Sequence, residues 1–564
     1  MSAFDPAKFR AIQDKEMKAL IGDTAAAAAS VVAAVPKPKP KAKAVPASKK
    51  RAVAGTPKNK AVKRAADDAD LAADEPRRSS RRNPARGAKL VEDPEELRKH
   101  QEEQDRIAAA EAAARDLAKH GDRPVEAREG GVVDALGQDS LIDELRELAL
   151  YDVAKEDGLQ RWELGKRPPV EADRLRTGAE PWDLRAIVKI IPDRIYSMTV
   201  HPDPDRDIVF AGDKTGHIAL WDCTDAGRLD PAAPPKPIRE GKPAASDEDD
   251  DEDDGPDERV WGKWWHWKAH QDQSVSFLKF RPGERKTIYS SSYDGTLRAT
   301  HFDQGTSEEV LDATLWSDNT LLHSFDFDPT GNELWASDDD GGLIFRDMRQ
   351  AKKTATRWQI DGYKVGCISI NPANPTLAAT AHLKRYMALW DLSALRGLSP
   401  DTEWRDVREA ALVTGYESKY ACSSAYFDPT GTRLASTSYD DQIRVWDVDP
   451  HKALKSLKGG KAFDPKTTIV HNTQVGRYVT VLRAHWSQVP TLPPHLHVGN
   501  MHRTLSLFSP AGTGASEPVK TFEDSALTAV PAVTAAHPTR EGRYYGGAAS
   551  GKVSLWAEPR PDDE

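Results

Sequence analysis

From Trp182 onward, short runs of alternating apolar and polar residues recur in a fixed order. An apolar strand ends at a proline turn, and a strand rich in Ser and Ala follows. A polar turn then leads into an alternating strand that often closes on Trp-Asp. The turn and third strand read KTGHIALWD (214–222), DGTLRATHFD (294–303), DGGLIFRD (340–347), KRYMALWD (384–391), DDQIRVWD (440–447), HRTLSLFS (502–509) and SGKVSLWA (550–557). Aligned on the turn, the Trp-equivalent positions are Trp221, Thr300, Arg346, Trp390, Trp446, Phe508 and Trp556. The strand before the turn recurs too, ending at Pro202, Pro282, Pro329, Pro372, Pro429 and Pro538; only the sixth, YVTVLRAHW (478–486), lacks the proline. Seven units of about 45 residues, each of four short strands, predict a seven-bladed β-propeller, whose radial closure hides its sheet edges.

The fold class expected is therefore all-β: a seven-bladed WD-repeat β-propeller over 181–560, behind a long, disordered and partly helical N-terminal extension over 1–180. Two repeat spacings are long and locate insertions. One, over 241–260, contains SDEDDDEDD (246–254); the other, over 449–477, reads as a hairpin-type insertion. Insertions on a repeat scaffold map to loops and often carry binding. In the extension, residues 24–75 hold no aromatic and cannot bury a core. Pro94–His120 reads as a solvated, charge-laced helix, and Asp139–Asp152 as a better patterned one able to dock on the body.

Charge sharpens this division. The formal net charge is -10 and the mean hydropathy -0.64. Residues 36–89 hold 17 Lys/Arg against 5 Asp/Glu, whereas everything after residue 89 sums to -22. Lys49, Lys50, Arg51, Lys63 and Arg64 form a bipartite nuclear-localisation pattern, so the expected compartment is the nucleus. That basic arm serves import alone or also holds DNA; both readings stay open.

Other classes drop out. No run of 18 apolar residues is present, and no membrane partner is expected. Met1–Leu20 lacks a secretory apolar region. The three cysteines, Cys223, Cys367 and Cys422, have no CxxC spacing, which fits a reducing compartment. Phosphate-loop, dinucleotide, nucleophile-elbow and zinc-helix motifs are missing. His495-x-His497 lacks a third ligand nearby. The expectation is a binding platform with no enzymatic activity, no catalytic residue, no metal and no cofactor.

In such a propeller, the turn before each first strand and the turn between second and third strands share one face. That places Arg194, Lys364, Lys419 and Arg477 before first strands and Lys214, Lys384, Arg385, Arg503 and Lys552 in polar turns. Nine cations on an otherwise acidic body make a phosphate site credible. The opposing reading is ordinary turn lysines offset by the aspartates of the same turns. Trp261, Trp264, Trp265 and Trp267 allow either base stacking or blade-edge packing.

Several strings carry a family resemblance: DGYKVGCISINPANPTLAATAHLKRYMALWDL (361–392), SSAYFDPTGTRLASTSYDDQIRVWD (423–447), IVHNTQVGRYVTVLRAHW (469–486) and VGNMHRTLSLFSPAG (498–512). Together they resemble the fungal changed-mutation-rate DNA damage-binding WD-repeat family, related to animal WD repeat-containing protein 76. The resemblance implies a nuclear, monomeric propeller that binds double-stranded DNA, with preference for UV-type damage or distortion, in genome maintenance and DNA repair. The sequence is also similar to the small subunit of the UV-damage recognition complex, which inserts a hairpin at the lesion. That similarity makes His471, Asn472, Gln474, Gly476, Arg477 and Tyr478 hairpin candidates and places Lys364 at a phosphate-contacting lysine. Relatives dock on a cullin-type ubiquitin ligase adaptor through Trp-Asp-x-Arg, which implies a partner role for Asp347 and Arg349, although Arg346 replaces the Trp. The alternative function is a nuclear scaffold that binds histones through the acidic loop, or a ligase substrate adaptor, with incidental DNA contact.

Overall fold

The computed structural model describes residues 123–124, 138–150, 160–168, 172–227, 261–317, 319–350, 354–452, 463–476, 478–510 and 517–558. The localisation cluster at Lys49–Arg64, the helix expected over 94–120, the acidic run 246–254 and Arg477 lie outside them. Contacts divide the chain into Met1–Leu90 and Val91–Glu564, and every described residue belongs to the second.

Seven antiparallel sheets form the blades of a propeller. Blade 1 comprises Ile195–Val200, Ile208–Asp213, His217–Asp222 and Lys263–Lys268; blade 2, Val275–Phe280, Thr287–Ser292, Thr296–His301 and Thr306–Asp312, with Arg123–Pro124 as a fifth strand. Blade 3 comprises Leu322–Phe327, Glu333–Asp338, Gly342–Asp347 and Thr356–Gln359; blade 4, Val365–Ile370, Leu377–His382, Tyr386–Asp391 and Leu412–Glu417. Blade 5 comprises Cys422–Phe427, Arg433–Ser438, Gln442–Asp447 and Thr467–Val470; blade 6, His485–Trp486, Leu496–Asn500, Thr504–Phe508 and Lys520–Phe522. Blade 7 takes Pro531–Ala536, Tyr544–Ala548 and Lys552–Ala557 from the end of the chain and Asp183–Lys189 from before blade 1. That shared blade closes the ring.

The register carries the repeat alignment into space. Trp221 pairs with Val209, Thr300 with Ile288, Arg346 with Leu334, Trp390 with Ala378, Trp446 with Leu434, Phe508 with Leu496 and Tyr544 with Trp556. Trp221, Trp390 and Trp446 are fully buried between blades. Pro202 and its equivalents stop the first strands because proline cannot donate to the ladder. The Trp261–Trp267 cluster settles on blade 1's outer strand: Trp265 and Trp267 are buried, and Trp221 Nε1 donates to the Trp261 carbonyl at 2.8 Å. These rings pack a blade edge.

Among the described residues, two helices precede the ring. The first, α1 (Gln138–Ala149), buries Leu141, Leu145 and Leu148 in one cluster with Phe210, Trp265 and Phe302 of blades 1 and 2. Its Glu144 meets Arg206, which also bonds Asp222 at 2.7 Å. The second, α2 (Ala172–Ala179), packs Ala179 with Trp182 and Leu492. Between them, Gly165 N–H donates to the Thr430 carbonyl at 2.8 Å and Arg167 pairs with Asp447 at 2.8 Å.

Candidate nucleic-acid interface

Backbone bonds sort the turns onto two faces. On one, the turn after the second strand of blades 1 to 5 donates to the residue before the first strand: Lys214 N–H to Arg194 O, Tyr293 to Ser274, Asp339 to Leu321, Leu383 to Lys364 and Tyr439 to Ala421, at 3.0–3.1 Å. On the other, the end of the third strand in blades 1 to 5 bonds the turn after the first strand, as Met348 N–H does to Asn332 O at 2.8 Å. The first face carries the sequence-expected cations.

Each of its seven second-to-third turns needs one left-handed residue, five positions before the Trp equivalent. Gly216, Gly295, Gly341 and Gly551 supply it in blades 1, 2, 3 and 7 at φ 78–90. Blades 4, 5 and 6 use Arg385 (φ 68), Asp441 (φ 60) and Arg503 (φ 64). A Cβ makes that region unfavourable by about 1–2 kcal/mol. Two of the three strained residues are exposed cations, and the third organises the neighbouring loop.

Many acids of the same turns are bonded locally. Asp213 accepts from Thr215 and His217 backbone N–H groups at 2.8 Å. Burial opposes ionisation of Asp294, yet the His270 charge and hydrogen bonds from His270 and Thr296 hold its carboxyl well below the usual range. Asp361 takes bonds from His382 and Tyr386, Asp338 pairs with Arg357 at 2.7 Å, and Asp440 with Arg444 at 2.6 Å. By contrast Lys214, Lys384, Arg385, Lys419, Arg503 and Lys552 are exposed and in no ion pair among the described residues. The aspartates therefore build turns, while these cations face solvent.

Three of the sequence-expected cations lie on tyrosine rings. Lys384 Nζ sits 4.5 Å from the Tyr363 centroid and Lys419 Nζ 5.4 Å from Tyr420, while the Arg194 guanidinium is 4.9 Å from Tyr196 and bonds its hydroxyl at 2.6 Å. Tyr363 and Tyr420 are 40% and 37% exposed, enough to offer a face. Neither stood out in the sequence. The signal was their shared place, two residues before a first strand.

Among the described residues the hairpin candidates adopt no hairpin. After the fourth strand of blade 5, residues 471–476 and 478–484 lie across this face as irregular chain. Of the stretch expected as an insertion over 449–477, Thr467–Val470 form that fourth strand and residues 471–476 begin this crossing. Asp441 anchors it, accepting from Thr473 N–H at 3.0 Å and Gln474 Nε2 at 2.6 Å. Farther on, Thr480 Oγ1 donates to the Ile195 carbonyl at 2.6 Å, and Ser423 Oγ to the Leu482 carbonyl at 3.0 Å. The segment therefore reaches from blade 5 to blade 1, leaving blade 6 an inner strand of two residues. His471 is buried, and its Nε2 bonds the Gly499 carbonyl at 2.8 Å, which fixes the start of the segment. Asn472, Gln474, Gly476 and Tyr478 are on the surface, with Tyr478 76% exposed.

Lys364 is half-buried at the channel mouth. Burial lowers its ammonium to about 8, helped by Arg483 and opposed by Asp339. Arg483, carried by the crossing segment, is not among the residues expected at the site.

On the opposite face, Arg349 chelates Asp347 through Nε and Nη2 at 2.9 and 2.8 Å, holding that carboxyl well below its usual range. Arg346 is buried behind them in the Trp position. His495 and His497 are spent on structure, bonding Tyr544 and Thr534. No group of three metal-capable side chains occurs among the described residues.

The WD domain, G-beta repeat model matches residues 410–447, from the last strand of blade 4 through the third strand of blade 5. A repeat unit therefore straddles two blades, which is why the ring must close by sharing blade 7. Over 445 residues the chain is 32% identical to the DNA damage-binding protein CMR1 of Cryptococcus neoformans var. neoformans serotype D (strain JEC21), covering 69% of this chain and 72% of that protein. The chain belongs to this family. Its similarity to the Mycosarcoma maydis member is 27% over 621 residues, covering 90% of this chain and 94% of that one. The Neurospora crassa member is 32% identical over 381 residues, 67% of each.

Proposed function

We propose that this chain binds duplex DNA on the cationic face, prefers damaged or distorted duplex, and serves genome maintenance in the nucleus. The observation that carries the reading is that Arg385 and Arg503 occupy strained turn positions where glycine serves four other blades, and both are exposed and in no ion pair among the described residues. Relatives named for DNA damage binding support it.

In this reading Lys364, Lys384, Arg385, Lys419, Arg194 and Arg503, with Arg477, meet backbone phosphates. Asn472, Gln474, Gly476 and Tyr478 meet the duplex where it is weakest. A lesion lowers the cost of unstacking, and an exposed ring can fill the space left by a displaced base. Contact with about six phosphates gives a log–log salt slope near -5. Gel shifts of irradiated and intact duplex with the full chain test this: the irradiated duplex should shift at lower protein concentration, and equal shifts would refute damage preference.

A second surface is compatible with this one. Asp347 and Arg349 lie on the opposite face, so a ligase adaptor docked there would leave the DNA face open. The connection that carries the acidic run 246–254 also leaves Asp222 and returns to Lys263 on that face, where a histone or another basic partner could be met.

A further inference from the structure

On the face away from the cationic turns, residues 160–168 form a strap along blades 5 and 6. Gly165, at φ 72, donates its N–H to the Thr430 carbonyl, and the Arg433 guanidinium donates to the Pro168 carbonyl at 3.0 Å. Trp162 Nε1 donates to the Gln488 carbonyl at 2.8 Å, and Arg174 of α2 donates to the Thr491 carbonyl at 3.1 Å. Between the strap, α2 and the loop 490–494 lies a cavity of about 370 Å³. That volume is in the range of ligand pockets, about 300–1,000 Å³. Its two walls differ in chemistry. The strap and α2 contribute Arg161, Lys166, Arg167 and Arg174, whereas the loop contributes Pro490, Pro493 and Pro494. Among the described residues the lining holds one carboxylate, Glu163, which pairs with Lys166 at 2.8 Å. Thr491 Oγ1, on the same lining, is buried with no hydrogen-bond partner among the described residues.

Four cations against one acid call for an anionic occupant. A guanidinium has five N–H donors, so a bond spent on the frame leaves others for a carboxylate. An extended peptide sends alternate side chains to opposite sides, so one whose acids alternate with apolar residues meets both walls at once. We propose that this cavity docks an extended acidic segment of a partner protein. Its carboxylates meet Arg161, Lys166, Arg167 and Arg174, and its apolar residues lie on the prolines. The chain's own run 246–254 matches the charge but contains no apolar residue for the proline wall. The cavity lies on the opposite face from the cationic turns, so it stands whether or not those turns bind DNA.

The test follows the fluorescence anisotropy of a labelled peptide of three Glu-Val repeats added to the full chain. Saturable binding is expected, weaker by about tenfold or more when Gln replaces each Glu of the peptide. Arg161→Glu/Lys166→Glu should weaken peptide binding by a similar factor of about ten or more. Both side chains are exposed, so the thermal midpoint should stay as in wild type, which separates loss of the site from loss of the fold. Arg161→Lys/Lys166→Arg keeps both charges and should bind within about threefold of wild type. No saturable binding, or equal binding by the charge-reversed variant, overturns the proposal. Equal binding of hexaglutamate would show that the proline wall takes no part, and overturns it too. A peptide affinity raised by deleting 246–254 would mean that the chain's own run fills the cavity. Self-association of wild type that the charge reversal abolishes would mean that a second copy fills it. Either outcome overturns the partner assignment. A saturating duplex should leave peptide affinity unchanged, whereas displacement by duplex would move the peptide to the cationic face and overturn the site.

Discussion

An arginine held near φ +65 strains its own backbone, and in this ring two arginines are so held where glycine would relax the turn. Replacing Arg385 and Arg503 by glycine should therefore leave stability unchanged or raise it by up to about 1 kcal/mol. DNA affinity should fall, with the salt slope shallower by about 0.9 per lost contact. Thermal unfolding and binding measured on one preparation check both halves; a fall in stability with unchanged affinity would show that the arginines serve the turn. A further charge reversal, Lys419→Glu, should weaken all duplexes alike, since a phosphate contact carries no sequence information. The cations were legible because the repeats align, and the column five residues before the Trp equivalent already shows Arg385, Asp441 and Arg503 among glycines. The tyrosines beneath Lys384 and Lys419 were not legible, because ring–cation pairing depends on side-chain direction across a turn. The burial of His471 was not legible either: packing against Phe508 and the Gly499 carbonyl takes its ring inside, and both lie in the next blade.

At the level of elements, the seven inner-strand patterns foretold the blades well except in the sixth. YVTVLRAHW alternates like a strand, yet only His485–Trp486 pairs, because Thr480, Leu482 and Ala484 bond other blades. Periodicity reports which residues are half-buried, and a segment lying across a channel is half-buried too. Asp441 is the hinge of that segment, so Asp441→Ala should loosen residues 473–475, raising their amide exchange while the blades stay protected. The helix α1 belongs to the folded body in the same sense. Leu145→Ala should cost about 2–5 kcal/mol, read from denaturant midpoints. A fragment beginning at residue 180 would expose Phe210 and Phe302 and should aggregate or unfold earlier than one retaining 120–564.

Over the whole molecule, net charge is a poor guide and its distribution a good one. An acidic body presents cations on one face because its aspartates are consumed inside the turns that display them. The ring also buries neutral histidines: burial pushes His201, His485 and His537 down to about 3 and His495 to about 4. Below the ordinary value of 6.5 the unfolded chain takes up protons that the folded one refuses, so stability falls as pH drops from about 6.5 toward those values. At pH 5 each should contribute a loss of about 1–2 kcal/mol. Thermal unfolding at pH 7.5 and pH 5 should differ by many degrees, and equal midpoints would show that these rings are not neutral and buried. The most direct test of the central claim is the salt dependence of full-chain binding to an irradiated duplex, wild type against Arg385→Gly/Arg503→Gly. A slope near -5 that becomes shallower by about 2 in the variant is the expected result; identical slopes and affinities would contradict DNA binding at this face.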